Sequence, residues 1–260
     1  MIDLCVVNYN TKAKLGRLIN SLSTGDNLSW NLFIEDNGST DGSAEWLQQY
    51  AGRHRIESVS LNENIGYSRA CNSAASKGSA DIIGLLNGDV WLKSADVKSI
   101  LDKFEENPHI SILGPKQRDE VGRITHAGIF GTHAKPKHRD FRRPDREDRL
   151  YRELEECLTV SGSAYFMRRS VWNALTECSI YRNLHPDVTG AFLPTPHYYE
   201  ETWCSYHAWA HGYKIYYDGT VSIGHSWHAS SPVGGKADKL FSVSRKMFRH
   251  ACAAHNIPCD

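Results

Sequence analysis

The stretch Asp81-Ile82-Ile83-Gly84-Leu85-Leu86-Asn87-Gly88-Asp89-Val90 decides how the rest of the chain is read. Ile82 to Leu86 is a short apolar run without charge, which suits a strand covered on both faces inside a parallel sheet. It stops at Asn87-Gly88-Asp89, where two polar residues flank a glycine able to take a tight turn. In an open α/β sheet, ligands bind outside the carboxyl ends of the strands. An N-x-D at such an end is placed to hold a divalent metal against a diphosphate, and it is also a plain strand-to-turn exit. The segments on either side separate these readings.

Upstream, Ile2 to Val7 reads as a first strand ending in Asn8-Tyr9-Asn10. A helix follows from about Thr11 to Leu22, with Leu15, Leu18, Ile19 and Leu22 on one face. Leu32 to Ile34 predicts a second strand, leaving through Glu35-Asp36-Asn37-Gly38, and Ser39 or Thr40 is positioned to cap the helix carrying Trp46 and Leu47. Ile56 to Leu61 predicts a third strand, followed by Asn62-Glu63-Asn64-Ile65-Gly66 and a helix from Ala70 to Ser76. Downstream come a helix near Ala95 to Glu106 and a strand from Ile110 to Leu113. This alternation means βαβ units, and right-handed crossovers bring every strand exit to one rim. Asn8, Asp36, Asn64 and Asn87–Asp89 therefore converge on a nucleotide crevice.

The chain has 260 residues, and its 30 Lys+Arg balance its 30 Asp+Glu, so no charge field points to nucleic acid. Seven cysteines are scattered without a C-x-x-C pair, which argues against a disulfide framework and a zinc ribbon. The start lacks a basic region, and no apolar run approaches a membrane span, so a reducing cytoplasm is the expected compartment. Beyond Pro115, Lys135 to Arg149 is dense in charge with two prolines. That composition predicts a mobile loop, either a solvated excursion or a flap over an acceptor. Leu158 to Met167 returns to strand character, and Asn183 to Pro196 reads as loop. A helix runs from Tyr198 to His211, with Glu200 and Glu201 in a first turn where acidic residues also suit the macrodipole. Lys214 to Tyr217 and Thr220 to Ile223 read as two short strands before His225.

With these pieces assembled, the chain resembles the family 2 inverting glycosyltransferases of GT-A fold, nearest to rhamnosyltransferase-like and polysaccharide-assembly members. The matching segments are Val6–Asn10 (VVNYN), Glu35–Ser43 (EDNGSTDGS), Asn62–Asn72 (NENIGYSRACN), Leu85–Val90 (LLNGDV), Ser161–Trp172 (SGSAYFMRRSVW) and Tyr199–Ile215, followed by His225. They run in the family's order over about 1–230. The resemblance implies one α/β domain over 1–260. Its mainly parallel nucleotide-binding half is 1–114, an acceptor-side α+β half is 115–225, and 226–260 is a closing segment.

The resemblance also implies roles. Asp36 hydrogen-bonds the nucleobase, Asn8 and Tyr9 line the base pocket, and Asn64 and Gly66 lie near ribose and diphosphate. Asn87-Gly88-Asp89 occupies the DxD position, with Asp89 a ligand of Mn²⁺ or Mg²⁺ and His225 completing the metal site. Glu201 is the catalytic base. The partners implied are a UDP- or dTDP-linked sugar and a hydroxyl acceptor on a glycan or protein. Chemistry agrees, since a divalent ion neutralises a leaving diphosphate with few protein ligands, and inversion needs one carboxylate on the acceptor side.

Three departures stand out: Asn87 replaces the first DxD aspartate, Glu201 stands where aspartate is commoner, and His207 stands where many relatives carry arginine. His225 also fits a core-edge histidine; His197, His211 and His228 read as ordinary; the tryptophans read as core, with Trp203 alone a possible acceptor platform. Two rival functions remain. A sugar-1-phosphate nucleotidyltransferase would want a glycine-rich basic loop after the first strand, where Asn8-Tyr9-Asn10-Thr11 stands. A non-catalytic nucleotide- or glycan-binding relative would be separated by binding without turnover.

Overall fold

A computed structural model describes residues 1–22, 29–50, 55–226 and 235–259, without the side chains of 235–237. Trp227 and His228 lie outside the described residues.

Three βαβ units build the first half. β1 (Ile2–Asn8), α1 (Lys12–Leu22), β2 (Trp30–Asp36), α2 (Ser43–Leu47), β3 (Ile56–Ser60), α3 (Tyr67–Lys77) and β4 (Ile82–Asn87) follow in order. β1 pairs in parallel with both β2 and β4, and β2 with β3. Every residue of β1 is buried, as the apolar run requires for a strand with helices on both faces. Its one charge, Asp3, is held by Arg169 Nη2 at 2.8 Å and by the Asn31 side-chain amide at 2.9 Å.

The second half extends the same sheet. β5 (Val90–Trp91), α4 (Ser94–Glu106), β6 (Ile110–Arg118), β7 (Ile124–His126), β8 (Ile129–Thr132), β9 (Lys135–His138), β10 (Leu154–Glu156) and β11 (Ala164–Arg168) come next. α5 (Arg169–Thr176), α6 (Ser179–Leu184), α7 (Glu200–Ala210), β12 (Lys214–His225) and α8 (Gly235–Ala254) complete the chain. The ten-stranded sheet has the order β10-β12-β6-β11-β4-β1-β2-β3, with β5 on β12 and β7 on β6. β11 runs antiparallel between β4 and β6, while β12 is parallel to β6. The fold is α/β of the GT-A type, as the sequence implied.

Several local readings differ from what formed. α2 begins after Gly42, which has φ 78°, so neither Ser39 nor Thr40 caps it. The Ser39 hydroxyl instead donates to Asp36 Oδ1 at 2.7 Å. The two strands expected around Asp218 are one, with a register shift between Asp218 and Ser222. There the Asp218 carboxylate accepts from the Thr220 amide and hydroxyl at 2.8 and 2.6 Å, so one side chain closes the bulge within a continuous strand.

Lys135–Arg149 is no free excursion. Its first four residues pair with β8, and its charges find partners that the sequence could not show. Arg139 pairs with Glu155 and lies 3.9 Å over the Phe130 ring. Fully buried Lys116 binds Asp145 and, at 2.9 Å, Asp148.

No described helix is long and apolar enough to cross a membrane. All seven cysteines are free.

Candidate active site

At the carboxyl rim of the sheet, a cleft of about 1300 Å³ opens where β1, β4 and β12 end and α3 and α7 begin. Tyr9, Asn64, Gly66, Asn87, Asp89, Glu201 and His225 all line it. Asn8 and Asp36 do not reach its wall. They form a buried bracket behind it, in which Asn8 Nδ2 donates to Asp36 Oδ1 at 2.6 Å and to Ser39 Oγ at 3.1 Å. Thr11 Oγ1 donates to Asn8 Oδ1 at 2.6 Å, and the Asn37 amide donates to the Asn8 carbonyl at 2.8 Å, so side chains and backbone together tie the first strand exit to the second.

The turn after β4 depends on a glycine. A Cβ on Gly88 would stand 2.7 Å from Thr11 Oγ1, so no larger residue lets this turn lie against the exit of β1. β5 then pairs antiparallel with the end of β12, His225 opposite Val90, and the Ser226 amide donates to the Asp89 carbonyl at 3.0 Å. This pairing brings two side chains 136 residues apart to 3.6 Å, His225 Nε2 to Asp89 Oδ1. A small side-chain movement would bring such a pair to the spacing of about 3 Å that adjacent ligands of a hard divalent ion take. One carboxylate and one imidazole on an otherwise oxygen-rich wall fit Mn²⁺ or Mg²⁺ whose remaining ligands come from phosphate and water.

The turn before α3 is organised by two amides. Asn37 Nδ2 donates to Asn64 Oδ1 at 3.1 Å, and Asn37 Oδ1 accepts from the Ile65 amide at 2.9 Å. Gly66 has φ 90°, which turns the chain so that the amino end of α3 meets the cleft. That helix end suits an anion. Exposed Arg69 in its first turn adds a cation that the sequence reading missed. The signal was present, because a cation in a first turn opposes the helix dipole and asks for a reason.

Across the cleft, α7 starts from two consecutive tyrosines in left-handed conformation, Tyr198 at φ 67° and Tyr199 at φ 71°. Such positions cost on the order of 1–3 kcal/mol each and persist where packing enforces them. Here the Tyr199 ring stacks 4.9 Å from Phe248 of α8. Beyond the strained entry Glu200 touches the cleft wall but is only 5 % exposed, with its Oε2 accepting from Thr195 Oγ1 at 3.4 Å. Glu201 faces the cleft, its Oε2 buried with no hydrogen-bond partner. Gly162 makes room for it, since a Cβ there would lie 3.2–3.3 Å from Glu201 Cβ, Cγ and Cδ. The Tyr67 hydroxyl donates to the Gly162 carbonyl at 2.9 Å, so α3 also fixes the loop beside Glu201.

Burial, then the charge of Glu201, drives the Glu200 carboxyl well above the ordinary range. Burial also raises Glu201, but its own backbone amide, that of Thr202 and its Glu200 neighbour oppose the rise. The pair is therefore asymmetric: both carboxyls are raised by burial, Glu200 the more strongly because the charge of Glu201 adds to it.

Residues 3–175 match the model of the Glycosyl transferase family 2 family, which is well over half of the chain. The chain belongs to glycosyl transferase family 2. The chain is 23% identical over 205 residues to the abequosyltransferase RfbV of Salmonella typhimurium, covering 72% of this chain and 59% of that protein. It is 27% identical over 135 residues to the N-acetylglucosaminyl-diphospho-decaprenol L-rhamnosyltransferase of Mycobacterium tuberculosis, covering 48% of this chain and 43% of that protein. The chain thus spans about half the length of these curated relatives. Among solved structures, the 1–349 fragment of S. aureus TarS superposes with a TM-score of 0.63 at 15% identity, over 97% of this chain and 64% of that one. GalNAc-T7 with UDP, GalNAc and Mn²⁺ superposes with a TM-score of 0.64 at 14% identity, over 100% of this chain and 55% of that one. At these identities the superpositions speak for the fold.

Two side chains at or near the cleft depart from the sequence reading. Trp203 is fully buried, 4.9 Å from the ring of His207, and so is core rather than an acceptor platform. His197, read as ordinary, lines the cleft beside Tyr198. His126 also lines it, and burial, with minor contributions from His138 and His225, pushes its pKa down to about 3, so it stays neutral.

Proposed function

We propose that this family 2 enzyme is a metal-dependent inverting glycosyltransferase that moves a sugar from a nucleoside-diphosphate donor to a hydroxyl acceptor. The observation that carries this reading is the opposition, across one cleft, of the Asp89–His225 pair and the unpartnered carboxylate oxygen of Glu201. Asp89 and His225 would hold Mn²⁺ or Mg²⁺, which when bound neutralises the departing diphosphate. Asn64, the amino end of α3 and Arg69 bind and orient the diphosphate, and Asn87 beside Asp89 contributes an amide in place of a second charge. Tyr9, 37 % exposed, offers a ring to the base. Asp36 supports that wall through Asn8 and Ser39, and it reaches the base only by giving up the Ser39 hydroxyl. Glu201 accepts the proton of the acceptor hydroxyl as that oxygen bonds to the anomeric carbon and the diphosphate leaves from the opposite face.

Two structural neighbours support the donor class: GalNAc-T7 was solved with UDP, GalNAc and Mn²⁺, and the 1–349 fragment of S. aureus TarS in complex with UDP-GlcNAc. The rhamnosyltransferase relative, named for an N-acetylglucosaminyl-diphospho-decaprenol acceptor, supports a carbohydrate acceptor over a protein. The test is calorimetric titration with UDP and dTDP, with and without Mn²⁺, followed by turnover of a panel of NDP-sugars. Nucleotide binding that requires the metal and is weakened in His225→Ala is expected. Equal affinity with a chelator present would remove the metal from the reading, and no turnover of any donor would leave a binding protein.

A further inference from the structure

Away from the cleft, a second group of ligand-type side chains meets where three helices touch. Cys178 precedes α6, His207 lies in the last turn of α7, and His255 follows α8; their ligand atoms all lie within 4.8 Å of one another. This is the one such triad of metal-ligating types among the described residues. We propose that Cys178, His207 and His255 form a Zn²⁺ site that fastens α8 and α6 to the helix bearing Glu200 and Glu201.

Geometry and chemistry both fit. Tetrahedral zinc with bonds of about 2.0–2.3 Å spaces its ligand atoms roughly 3.3–3.8 Å apart. Cys178 Sγ already stands 3.9 Å from His255 Nε2, so ångström-scale side-chain adjustment closes the triad. His255 Nδ1 lies 2.9 Å from the Ala251 carbonyl, the outer-shell bond that fixes a ligating imidazole with Nε2 free for metal. One thiolate with two imidazoles is a donor set that selects zinc over the hard ions suited to Asp89. The fourth position falls to water or to His211, whose ring lies 4.7 Å from that of His207 and whose Nδ1 is held by the His207 carbonyl at 2.9 Å.

A second observation points to a ligand. His207 is fully buried, and neither ring nitrogen has a hydrogen-bond partner. Buried polar atoms in folded proteins are almost always satisfied, and an ion is among the standard reasons for an exception. Packing against Trp203 and Tyr181 accounts for the ring's location but satisfies neither nitrogen. The lack of a C-x-x-C pair told against a zinc ribbon, but ligands drawn from three helices leave no such spacing. Binding converts the Cys178 thiol to thiolate and releases its proton to solvent.

The test uses the whole chain, stripped by a chelator under a non-chelating reductant, then titrated with Zn²⁺ against a chromophoric competitor and separately with Co²⁺. One tight zinc equivalent is expected, retained in Asp89→Asn, with cobalt giving tetrahedral d–d bands and a thiolate-to-cobalt band. Cys178→Ser abolishes the thiolate band and weakens zinc binding at least tenfold, as does His255→Gln, while remote His109→Ala changes neither. Both ligand variants alter half-buried side chains, so they report even if a His207 variant fails to fold. Absence of a tight equivalent, its loss in Asp89→Asn, or a thiolate band that survives Cys178→Ser would overturn the site.

Discussion

At the scale of single residues, the two neighbouring glutamates carry most of the chemistry, and burial treats them differently. Glu201 acts as its carboxylate, and its pKa is raised above the ordinary 4.5 by burial. A base with a raised pKa loses function as pH falls through that raised value, so the acidic limb of kcat should lie above 4.5. A kcat profile measured at saturating donor checks this, and a limb at or below 4.5 would mean that another group takes the proton. Gly162 offers a second handle, because a methyl group there crowds Glu201 at 3.2–3.3 Å without touching the rest of the cleft's metal end. Since a misplacement of about 1 Å can cost 10²-fold, Gly162→Ala should slow transfer on the order of tenfold. Donor Kd should hold. An affinity loss matching the rate loss would show that Gly162 serves the donor rather than the base. Most site residues were legible because each ends a strand or opens a helix. Arg69, His126 and His197 were not, because one sits inside a helical turn and the others come from strand and loop segments whose position depends on the second half of the sheet.

At the scale of elements, the Lys135–Arg149 segment shows how charge density misleads. Read along the chain it is a solvated run, yet Asp145 is 6 % exposed and meets fully buried Lys116. Burial pushes the Asp145 carboxyl up, but hydrogen bonds from Lys116 and the Arg149 and Leu150 amides outweigh it and hold the group below the ordinary 3.8. A depressed carboxyl stabilises the fold above its unfolded pKa, and that stability is lost as pH falls through the folded value. Breaking a buried pair costs about 3–5 kcal/mol. Lys116 keeps Asp148 at 2.9 Å, so Asp145→Asn should cost near the lower end of that range at neutral pH. The deficit should shrink in acid. Urea unfolding of both proteins at neutral and acid pH measures it, and a deficit under about 1 kcal/mol at pH 7 would return the segment to a solvated loop. α7 carries a related lesson. Acidic residues in a first helical turn are ordinary, and only the paired left-handed tyrosines reveal that this turn is forced into place.

For the whole molecule, the parallel half was readable and the mixed half was not, for one physical reason. β1, β2 and β4 are buried strands, β3 is the half-exposed edge beside β2, and local crossovers join all four, so apolar runs and turn residues suffice to order them. β6 pairs with β12 about a hundred residues later, and β11 slots between β4 and β6 against the chain's order. No local pattern encodes such pairings. The third apolar cluster, where Trp203, Tyr206 and Phe248 join α7 to α8, was hidden likewise, because its partners come from opposite ends of the second half. That long-range half completes the cleft: β12 delivers His225 to Asp89, and α8 holds the entry to α7.

The measurement that bears most directly on this account is single-turnover transfer at saturating donor, beside a calorimetric donor titration with Mn²⁺, for Asp89→Asn, Glu201→Gln and Glu200→Gln. Asp89→Asn should lose donor binding and turnover together. Glu201→Gln should bind donor normally and transfer about 10²- to 10⁴-fold more slowly, the usual contribution of a positioned base. That corresponds to roughly 3–5.5 kcal/mol of barrier. Glu200→Gln, replacing a buried acid whose pKa burial drives well up, should stay within tenfold of the wild type. A dead Glu200→Gln beside an active Glu201→Gln, or near wild-type transfer in both, would contradict the assignment of Glu201 as the base and with it the inverting mechanism.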